Sequence, residues 1–116
     1  MIDGRDFKVQ LRRRGARAVS VHGPSTKKRP AVVVSSHSYN ASRRDIVIMA
    51  ITSQVRTPLG FGGAMVRDWQ GAGLIKTSVL KPVFTTIEQG LVIRTMGTLA
   101  AADIKTLREI VADVIG

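Results

Sequence analysis

Two uninterrupted runs of apolar, mostly β-branched residues constrain the fold of this chain more than any other feature. They cover residues 31–34 (Ala-Val-Val-Val) and residues 46–51 (Ile-Val-Ile-Met-Ala-Ile). Runs of this length and composition are typical of buried strands, and they fall far short of the ~20 residues that a membrane-spanning helix needs. We therefore expect a sheet protein with residues 46–51 as a central strand, and no membrane segment.

Shorter runs add strands to this sheet, about five in all. Residues 79–84 and 91–94 predict strands, residues 64–66 are strand-like, and partial alternation over residues 16–21 indicates one short strand near the N-terminus. Pro82 places its strand at an edge or a bulge, because proline cannot donate a ladder hydrogen bond.

The segments between these strands predict loops. Residues 53–63 contain Pro58 and three glycines, a composition that suits a flexible flap over a site. Residues 68–73 form a second predicted loop, and residues 85–90, which contain Glu88, are predicted to form a loop between the last two strands. Residues 40–45 are polar and compatible with a short helical turn or a loop.

The end of the chain predicts an amphipathic helix over residues 100–115. Its apolar residues recur at steps of three and four, which places them on one helix face. They are Ile104, Leu107, Ile110, Val111, Val114 and Ile115. Short strands followed by one helix predict a mainly β fold with a C-terminal α-helix, as a small, strongly curved antiparallel barrel with the helix packed on it.

The net charge of the chain limits the kinds of partner it can have. The chain has 18 Lys and Arg against 8 Asp and Glu, a net charge of +10. Residues 1–30 hold nine basic side chains against Asp3 and Asp6, so +7 of this charge lies there. Such a field attracts polyanions, so the candidate partners are nucleic acid, an anionic membrane surface or an acidic protein; the alternative is a cationic solubilising tail.

Few residues offer conventional catalytic chemistry. The chain has no cysteine, which excludes disulfides, thiolate zinc sites and a cysteine nucleophile, and favours an intracellular, cytoplasmic protein. His22 and His37 lie in separate segments without an acidic cluster, so we expect no metal site and no cofactor. Three aromatic side chains could stack on nucleobases, although packing is their commoner use: Phe61, Tyr39 and Trp69.

An arginine and a hydroxyl at strand ends are the remaining candidates. Arg29 stands just before the strand at residues 31–34, and Thr52 and Ser53 follow the strand at residues 46–51. If these strands are antiparallel neighbours, a guanidinium and a hydroxyl face one pocket, a pair suited to gripping a phosphate. The alternatives are that Arg29 belongs to a solvated basic cluster and that the Thr52 hydroxyl bonds to backbone.

An ordered set of motifs resembles a known family. The set contains residues 28–36, Asn40 with residues 43–45, residues 50–54, residues 68–70 with 72–74, Lys81-Pro82 and Glu88-Gln89. In this order the motifs resemble the MazF/PemK toxins of bacterial type II toxin–antitoxin systems, over residues 27–116. Residues 1–26 form a basic, diverged segment, in which Gly15-Ala16-Arg17 stands where family members have Gly-Asp.

The resemblance implies a small SH3-like barrel, of the fold type that CcdB toxins share, which forms a homodimer and cuts single-stranded RNA such as mRNA without a metal. It implies Arg29 and Thr52 as the catalytic pair, with attack by a ribose 2′-OH that leaves 2′,3′-cyclic phosphate and 5′-OH ends. It implies a MazE/PemI-like antitoxin as partner. It also implies RNA contacts from Lys28, Ser53, Gln54, Glu88 and Gln89.

Two other functions stay open. The chain could be a non-catalytic relative of these toxins that binds nucleic acid or an antitoxin through the same cationic face, since its N-terminal segment differs from the family. It could also be a basic structural or membrane-surface protein in which the Arg-rich first 30 residues are the working part.

Overall fold

The computed structural model describes residues 16–23, 27–54 and 63–115, and in them six strands form one sheet. The strands are β1 (Arg17–His22), β2 (Lys28–Val33), β3 (Asp45–Thr52), β4 (Ala64–Met65), β5 (Val79–Glu88) and β6 (Val92–Thr98). Helix α1 (His37–Ser42) joins β2 to β3, a 3-10 turn (Gln89–Leu91) joins β5 to β6, and helix α2 (Ala101–Ile115) follows β6. The mainly β fold class with a C-terminal helix is confirmed.

The strand order is β4-β5-β3-β2-β1-β6, and each neighbouring pair is antiparallel. Within the described residues, β4 and β6 are the two edges and do not pair with each other, so the sheet is not closed. Strand β1 lies between β2 and β6. Residues 17–22 are therefore part of the same sheet as the five strands that follow them in the chain.

Apolar side chains pack against both faces of the sheet. On the helix face, Val32 and Met49 belong to a cluster that includes Leu107 and Ile110 of α2. On the opposite face, alternate residues of the same strands form a second cluster, which contains Val19, Val21, Ala31, Val33, Ile46 and Ile48. Strands buried on both faces lose the alternation of apolar and polar residues, which explains the uninterrupted runs in the sequence.

Strand β5 is longer than the sequence predicted. Thr85, Thr86 and Ile87 pair with β3, because β-branched residues suit the pleated sheet, and the strand ends at Glu88. The prediction that Glu88 lies in a loop was therefore wrong; Glu88 pairs with Asp45. The register shifts between Met49 and Ile51, opposite residues 81–83 of β5. Pro82 thus lies in a bulge, as predicted.

Helix α2 agrees with the predicted helix at residues 100–115. Its buried residues are Asp103, Leu107 and Ile110, at steps of four and three that form one face. Val114 and Ile115, also expected on that face, are 39% and 61% exposed. No helix in the described parts of the chain is long and apolar enough to cross a membrane.

A buried carboxylate fastens the turn at residues 67–73 to α2. Asp103 is 0% exposed, and its two oxygens accept the backbone N–H groups of Arg67 at 2.7 Å and of Asp68 at 2.9 Å. Asp103 also lies in the first turn of α2, where negative charge is favourable to the helix dipole. Burial of this carboxylate is thus compensated by two backbone donors from a distant segment.

Candidate active site at the ends of β2 and β3

Strand pairing places Arg29 and Thr52 side by side. Strands β2 and β3 are antiparallel, with Ala31 opposite Ala50. Continuing this register by two residues brings Arg29 opposite Thr52, and adjacent strands lie about 4.8 Å apart. Because side chains alternate between faces, both residues project from the opposite face of the sheet, the side of Ala31 and Ile48. The antiparallel pairing of the two strands, on which the predicted meeting of their ends depends, is confirmed.

The Thr52 hydroxyl oxygen already accepts one backbone hydrogen bond. Its oxygen accepts the N–H of Gln54 at 3.1 Å, which shapes the chain as it leaves β3. A hydroxyl has one hydrogen to donate besides its lone pairs, so this contact leaves the Thr52 hydrogen available to an anion. The backbone contact and a role in binding are therefore compatible.

Close approach to a glycine positions the Arg29 side chain. A Cβ atom built on Gly23 would lie 2.9 Å from Arg29 Cδ and 3.1 Å from Arg29 Nε. The Gly23 N–H donates to the Lys27 carbonyl at 2.7 Å and so closes the connection between β1 and β2. A side chain at position 23 would therefore require the Arg29 side chain to shift.

A cleft of about 550 Å³, here called the first cleft, opens around this pair. It contains five of the seven predicted site residues: Lys28, Arg29, Thr52, Ser53 and Gln54. Lys27, Lys81 and His22 also line it, while Ile48, Thr85 and Ile87 extend it along the sheet. Sequence reasoning had considered His22 only as a metal ligand; its pairing with Lys28 across β1 and β2 is what brings it here.

The first cleft is positively charged without compensation. Among the residues that the structure describes, no Asp or Glu lines it, and the only ion pair joins Arg43 to Asp45. Lys28 and Arg29 are exposed. Cations gathered without carboxylates repel one another, and an anion that enters relieves this repulsion.

A second cleft of about 520 Å³ lies on the helix face of the same strand ends. It shares Lys28, Arg29, Pro30 and Ser53 with the first cleft, and it is completed by residues of the segment 74–78 and of β6. Arg29 therefore stands at an edge between two openings. Sequence reasoning did not find this cleft, because its walls come from segments far apart in the chain.

Neither Glu88 nor Gln89 lines either cleft, although the first cleft extends as far as Ile87. Glu88 pairs with Asp45 at the start of β3, whereas Thr52 ends that strand. The Gln89 side-chain amide donates to the carbonyls of Asn40 at 2.7 Å and Arg43 at 2.9 Å, and so caps the end of α1. The structure brings neither residue together with Arg29.

The aromatic candidates have structural partners. Trp69 packs against the cluster on the helix face. The Tyr39 hydroxyl donates to Asp45 Oδ2 at 3.3 Å, and the Arg43 guanidinium carbon lies 5.5 Å from the Tyr39 ring centre. Arg43 Nε also donates to Asp45 Oδ1 at 2.9 Å, which holds the pKa of Asp45 below its ordinary value. Phe61, with most of the predicted flap, lies outside the described residues.

Metal coordination has no candidate ligand set in residues 16–23, 27–54 and 63–115. No group of three or more His, Asp or Glu side chains there is placed to hold an ion. The chemistry available at the strand ends is that of guanidinium, ammonium and hydroxyl groups, which bind phosphate oxygens by charge and hydrogen bonding.

Solved structures share this fold. An endoribonuclease in complex with its cognate antitoxin, from a mycobacterial species, is 15% identical, with a TM-score of 0.71 over 86% of this chain and 91% of its own. The Mycobacterium tuberculosis toxin MazF-mt6 is 20% identical, with a TM-score of 0.68 over 88% and 96%. MazF in a MazE–MazF complex from Deinococcus radiodurans is 16% identical, with a TM-score of 0.69 over 86% and 91%.

Sequence comparison assigns the family more directly. No curated protein matches the chain by sequence. A family model described as the PemK-like, MazF-like toxin of type II toxin–antitoxin systems matches residues 16–115. This match spans nearly the whole sheet and both helices, including β1 and the strand ends that carry Arg29 and Thr52. The chain therefore belongs to the PemK-like, MazF-like family of toxins of type II toxin–antitoxin systems.

Proposed function

We propose that this toxin is an endoribonuclease that cleaves single-stranded RNA, including mRNA, without a metal ion. The observation that carries the proposal is the register that sets Arg29 opposite Thr52, in a cleft lined by cations. Two of the similar structures bear the name endoribonuclease, which supports the same activity for this chain.

The reaction is a transfer within the RNA strand. The ribose 2′ oxygen attacks its adjacent phosphorus, the bond from phosphorus to the 5′ oxygen breaks, and the products are a 2′,3′-cyclic phosphate and a 5′-OH end. The 2′-OH loses a proton to solvent, and the leaving oxygen takes one up. Negative charge grows on the phosphate oxygens during this step, so fixed donors beside them lower the barrier.

Each residue of the pair has a role that its chemistry suits. The Arg29 guanidinium stays protonated and offers two parallel N–H donors, which hold the phosphate oxygens as charge develops. Thr52 donates its free hydroxyl hydrogen to the phosphate, while its oxygen remains fixed by the Gln54 N–H.

Lys28, Ser53 and Gln54 bind the RNA beside the reacting phosphate, as their place in the first cleft supports. Single strands expose the Watson–Crick edges of their bases, and polar groups such as the Gln54 amide read those edges. Glu88 and Gln89 remain predicted RNA contacts at the other end of β3.

The positive charge of the clefts and the similarity to known toxins indicate the protein's partners. An acidic, disordered segment of a MazE/PemI-like antitoxin folds onto the cationic clefts and blocks them. Two similar structures hold such a toxin with its antitoxin, which supports this partner. The protein works as a homodimer in the cytoplasm, where mRNA is found.

The test is incubation of a long single-stranded RNA with the purified protein in EDTA, followed by sequencing of 5′-OH ends. We expect discrete cuts by the wild type, and a loss of about 100-fold or more for Arg29→Ala and for Thr52→Val. Thr52→Ser keeps the hydroxyl and is expected to retain most activity. Arg108→Ala, which removes a charge outside both clefts, serves as the control.

Intact RNA with a folded wild-type protein would refute the enzyme. If that protein still binds RNA, and the binding weakens steeply with salt, the chain is instead a non-catalytic binding module. If the wild type and Thr52→Val cut RNA equally well, Thr52 has no role in the mechanism, whereas the proposed role of Arg29 is unaffected.

A further inference from the structure

The proposed cleavage needs a group that takes a proton from the attacking 2′-OH, and neither residue of the catalytic pair supplies one. An arginine side chain cannot be deprotonated in proteins, so Arg29 donates hydrogen bonds but accepts none. A hydroxyl is a very weak base at neutral pH, and the Thr52 oxygen already accepts the Gln54 N–H. A proton acceptor in the protein must therefore be another residue of the first cleft.

The remaining residues of the first cleft narrow the choice to one histidine. Lys27, Lys28 and Lys81 line the cleft, and a lysine ammonium has three donors and no acceptor. Within the described parts of the chain, no Asp or Glu lines it. His22 lines it as well, and a neutral imidazole has one ring nitrogen that accepts a proton near neutral pH. His22 thus has the chemistry of a general base.

Strand β1 brings His22 to the catalytic pair. Val21 pairs with Arg29 across β1 and β2, and His22 follows it as the last residue of β1. The next residue, Gly23, approaches Arg29 so closely that a Cβ atom built on it would lie 3.1 Å from Arg29 Nε. Because consecutive Cα atoms are about 3.8 Å apart, the His22 Cα lies within about 8.5 Å of that nitrogen. An imidazole together with a ribose and its phosphate can span this separation.

The His22 side chain is available to a substrate. It is exposed, and it forms no hydrogen bond or ion pair with another residue in ranges 16–23, 27–54 and 63–115. The other histidine of the chain, His37, is also exposed but begins helix α1 and lines neither cleft. The two histidines therefore differ in their position relative to the catalytic pair, which makes His37 a matched control.

We infer that His22 is the general base of the proposed ribonuclease. Its imidazole nitrogen accepts the proton of the 2′-OH while the 2′ oxygen bonds to phosphorus and the bond from phosphorus to the 5′ oxygen breaks. The 5′ oxygen takes a proton from water, and the imidazolium releases its own proton to solvent, which regenerates the enzyme. The inference rests on the proposed function, to which it adds the residue that moves the proton.

This role fixes the direction in which the cleavage rate changes with pH. A general base acts only when it is unprotonated, so the rate falls on acidification through the range in which histidines titrate, ordinarily near pH 6.5. The charged groups that share the cleft with His22 are Lys27, Lys28 and Arg29 at the start of β2 and Lys81 of β5. Lysine and arginine ordinarily titrate above about pH 10, so such a fall in rate is assigned to the histidine.

Single-turnover cleavage of RNA in EDTA, measured from about pH 5 to pH 8, tests this role. We expect His22→Gln to cut about 100-fold more slowly than the wild type at neutral pH, and to lose the fall in rate on acidification. His37→Gln is expected to cut like the wild type, with the same pH profile. Added imidazole should restore part of the rate to His22→Ala but not to Arg29→Ala, because it replaces a base and not a guanidinium.

Binding is measured separately with a fully 2′-O-methylated oligonucleotide, which cannot be cut because its 2′ oxygens are blocked. His22→Gln is expected to bind it within about twofold of the wild type, since the four cations of the first cleft stay in place. In NMR spectra of the histidine ring protons, the same oligonucleotide should shift the His22 signal and leave the His37 signal unchanged. This shift tests the position of His22 without relying on cleavage.

The outcomes separate this inference from the proposed enzyme. A wild type that cuts RNA, with His22→Gln equal to it in rate and pH profile, overturns the general base and leaves the nuclease intact. A slower His22→Gln whose rate still falls on acidification, together with a His22→Ala that imidazole does not rescue, would show a structural role and likewise overturn the base. A folded wild type that cuts nothing overturns the nuclease, and this inference with it.

Discussion

Replacement of Asp103 by alanine is expected to destabilise the protein strongly, although the residue lies outside both clefts. The carboxylate is 0% exposed and accepts the backbone N–H groups of Arg67 and Asp68. Asp103→Ala leaves both donors without their partner, at a cost of about 1–3 kcal/mol each. Loss of a negative charge from the first turn of α2 adds about 0.5 kcal/mol.

Relief of carboxylate desolvation offsets part of this cost. We therefore expect the free energy of unfolding to fall by about 2–4 kcal/mol, a large fraction of the roughly 5–15 kcal/mol that is typical of a domain. Asp103→Asn keeps one acceptor but turns an N–H₂ group toward the other backbone donor, so it is expected to destabilise by about 1–3 kcal/mol.

Urea unfolding of the wild type and the variants measures these differences. An unchanged slope of the unfolding free energy against urea concentration checks that unfolding remains two-state. Asp113→Ala is the matched control, because it removes the same charge from an exposed position of the same helix. Its expected effect is within about 0.5 kcal/mol. A cost below about 1 kcal/mol for Asp103→Ala would show that water replaces the carboxylate, and would refute the reasoning.

Three further outcomes follow from single contacts. Gly73→Ala forces a side chain into positive φ against a carbonyl on β6, and is expected to cost about 2 kcal/mol or more in urea unfolding. Arg43→Ala should raise the pKa of Asp45 toward its ordinary value in an NMR titration; the stability from this lowered pKa is present above the ordinary value and is lost on acidification through the folded one. Gly23→Ala should displace the Arg29 side chain. We expect this variant to cleave RNA more slowly than the wild type, with little change in its melting temperature.

Local patterns predicted much of the fold. The steps of three and four in α2 and the β-branched run in β3 are contained within one element each, so the sequence displays them directly. The presence of Arg29 and Thr52 in one cleft could also be predicted from the sequence, because it needs only that two predicted strands be antiparallel neighbours. Pro82 indicated its bulge for the same local reason.

Contacts between distant segments account for what the sequence did not show. Asp103 looked like one more scattered acid, yet its partners lie 35 and 36 residues away. Gln89 matched a motif that implies RNA contact, whereas its amide donates to carbonyls 46 and 49 residues away. The polar end of β5 resembled a loop, because the sheet partner that makes it a strand is not adjacent in the chain.

The position of β1 also determines when the molecule can be completed during synthesis. Arg17 pairs with Thr98, so β1 acquires its second neighbour only after nearly the whole sheet has left the ribosome. Strands β2 and β3, which carry the proposed catalytic pair, can meet much earlier through the short connection at α1. Arg94 on β6 joins the second cleft last. In a nascent chain, the strand ends that hold the proposed catalytic pair would thus come together before the second cleft is complete. The slow, non-local pairing of β1 with β6 would be the last step in forming the sheet.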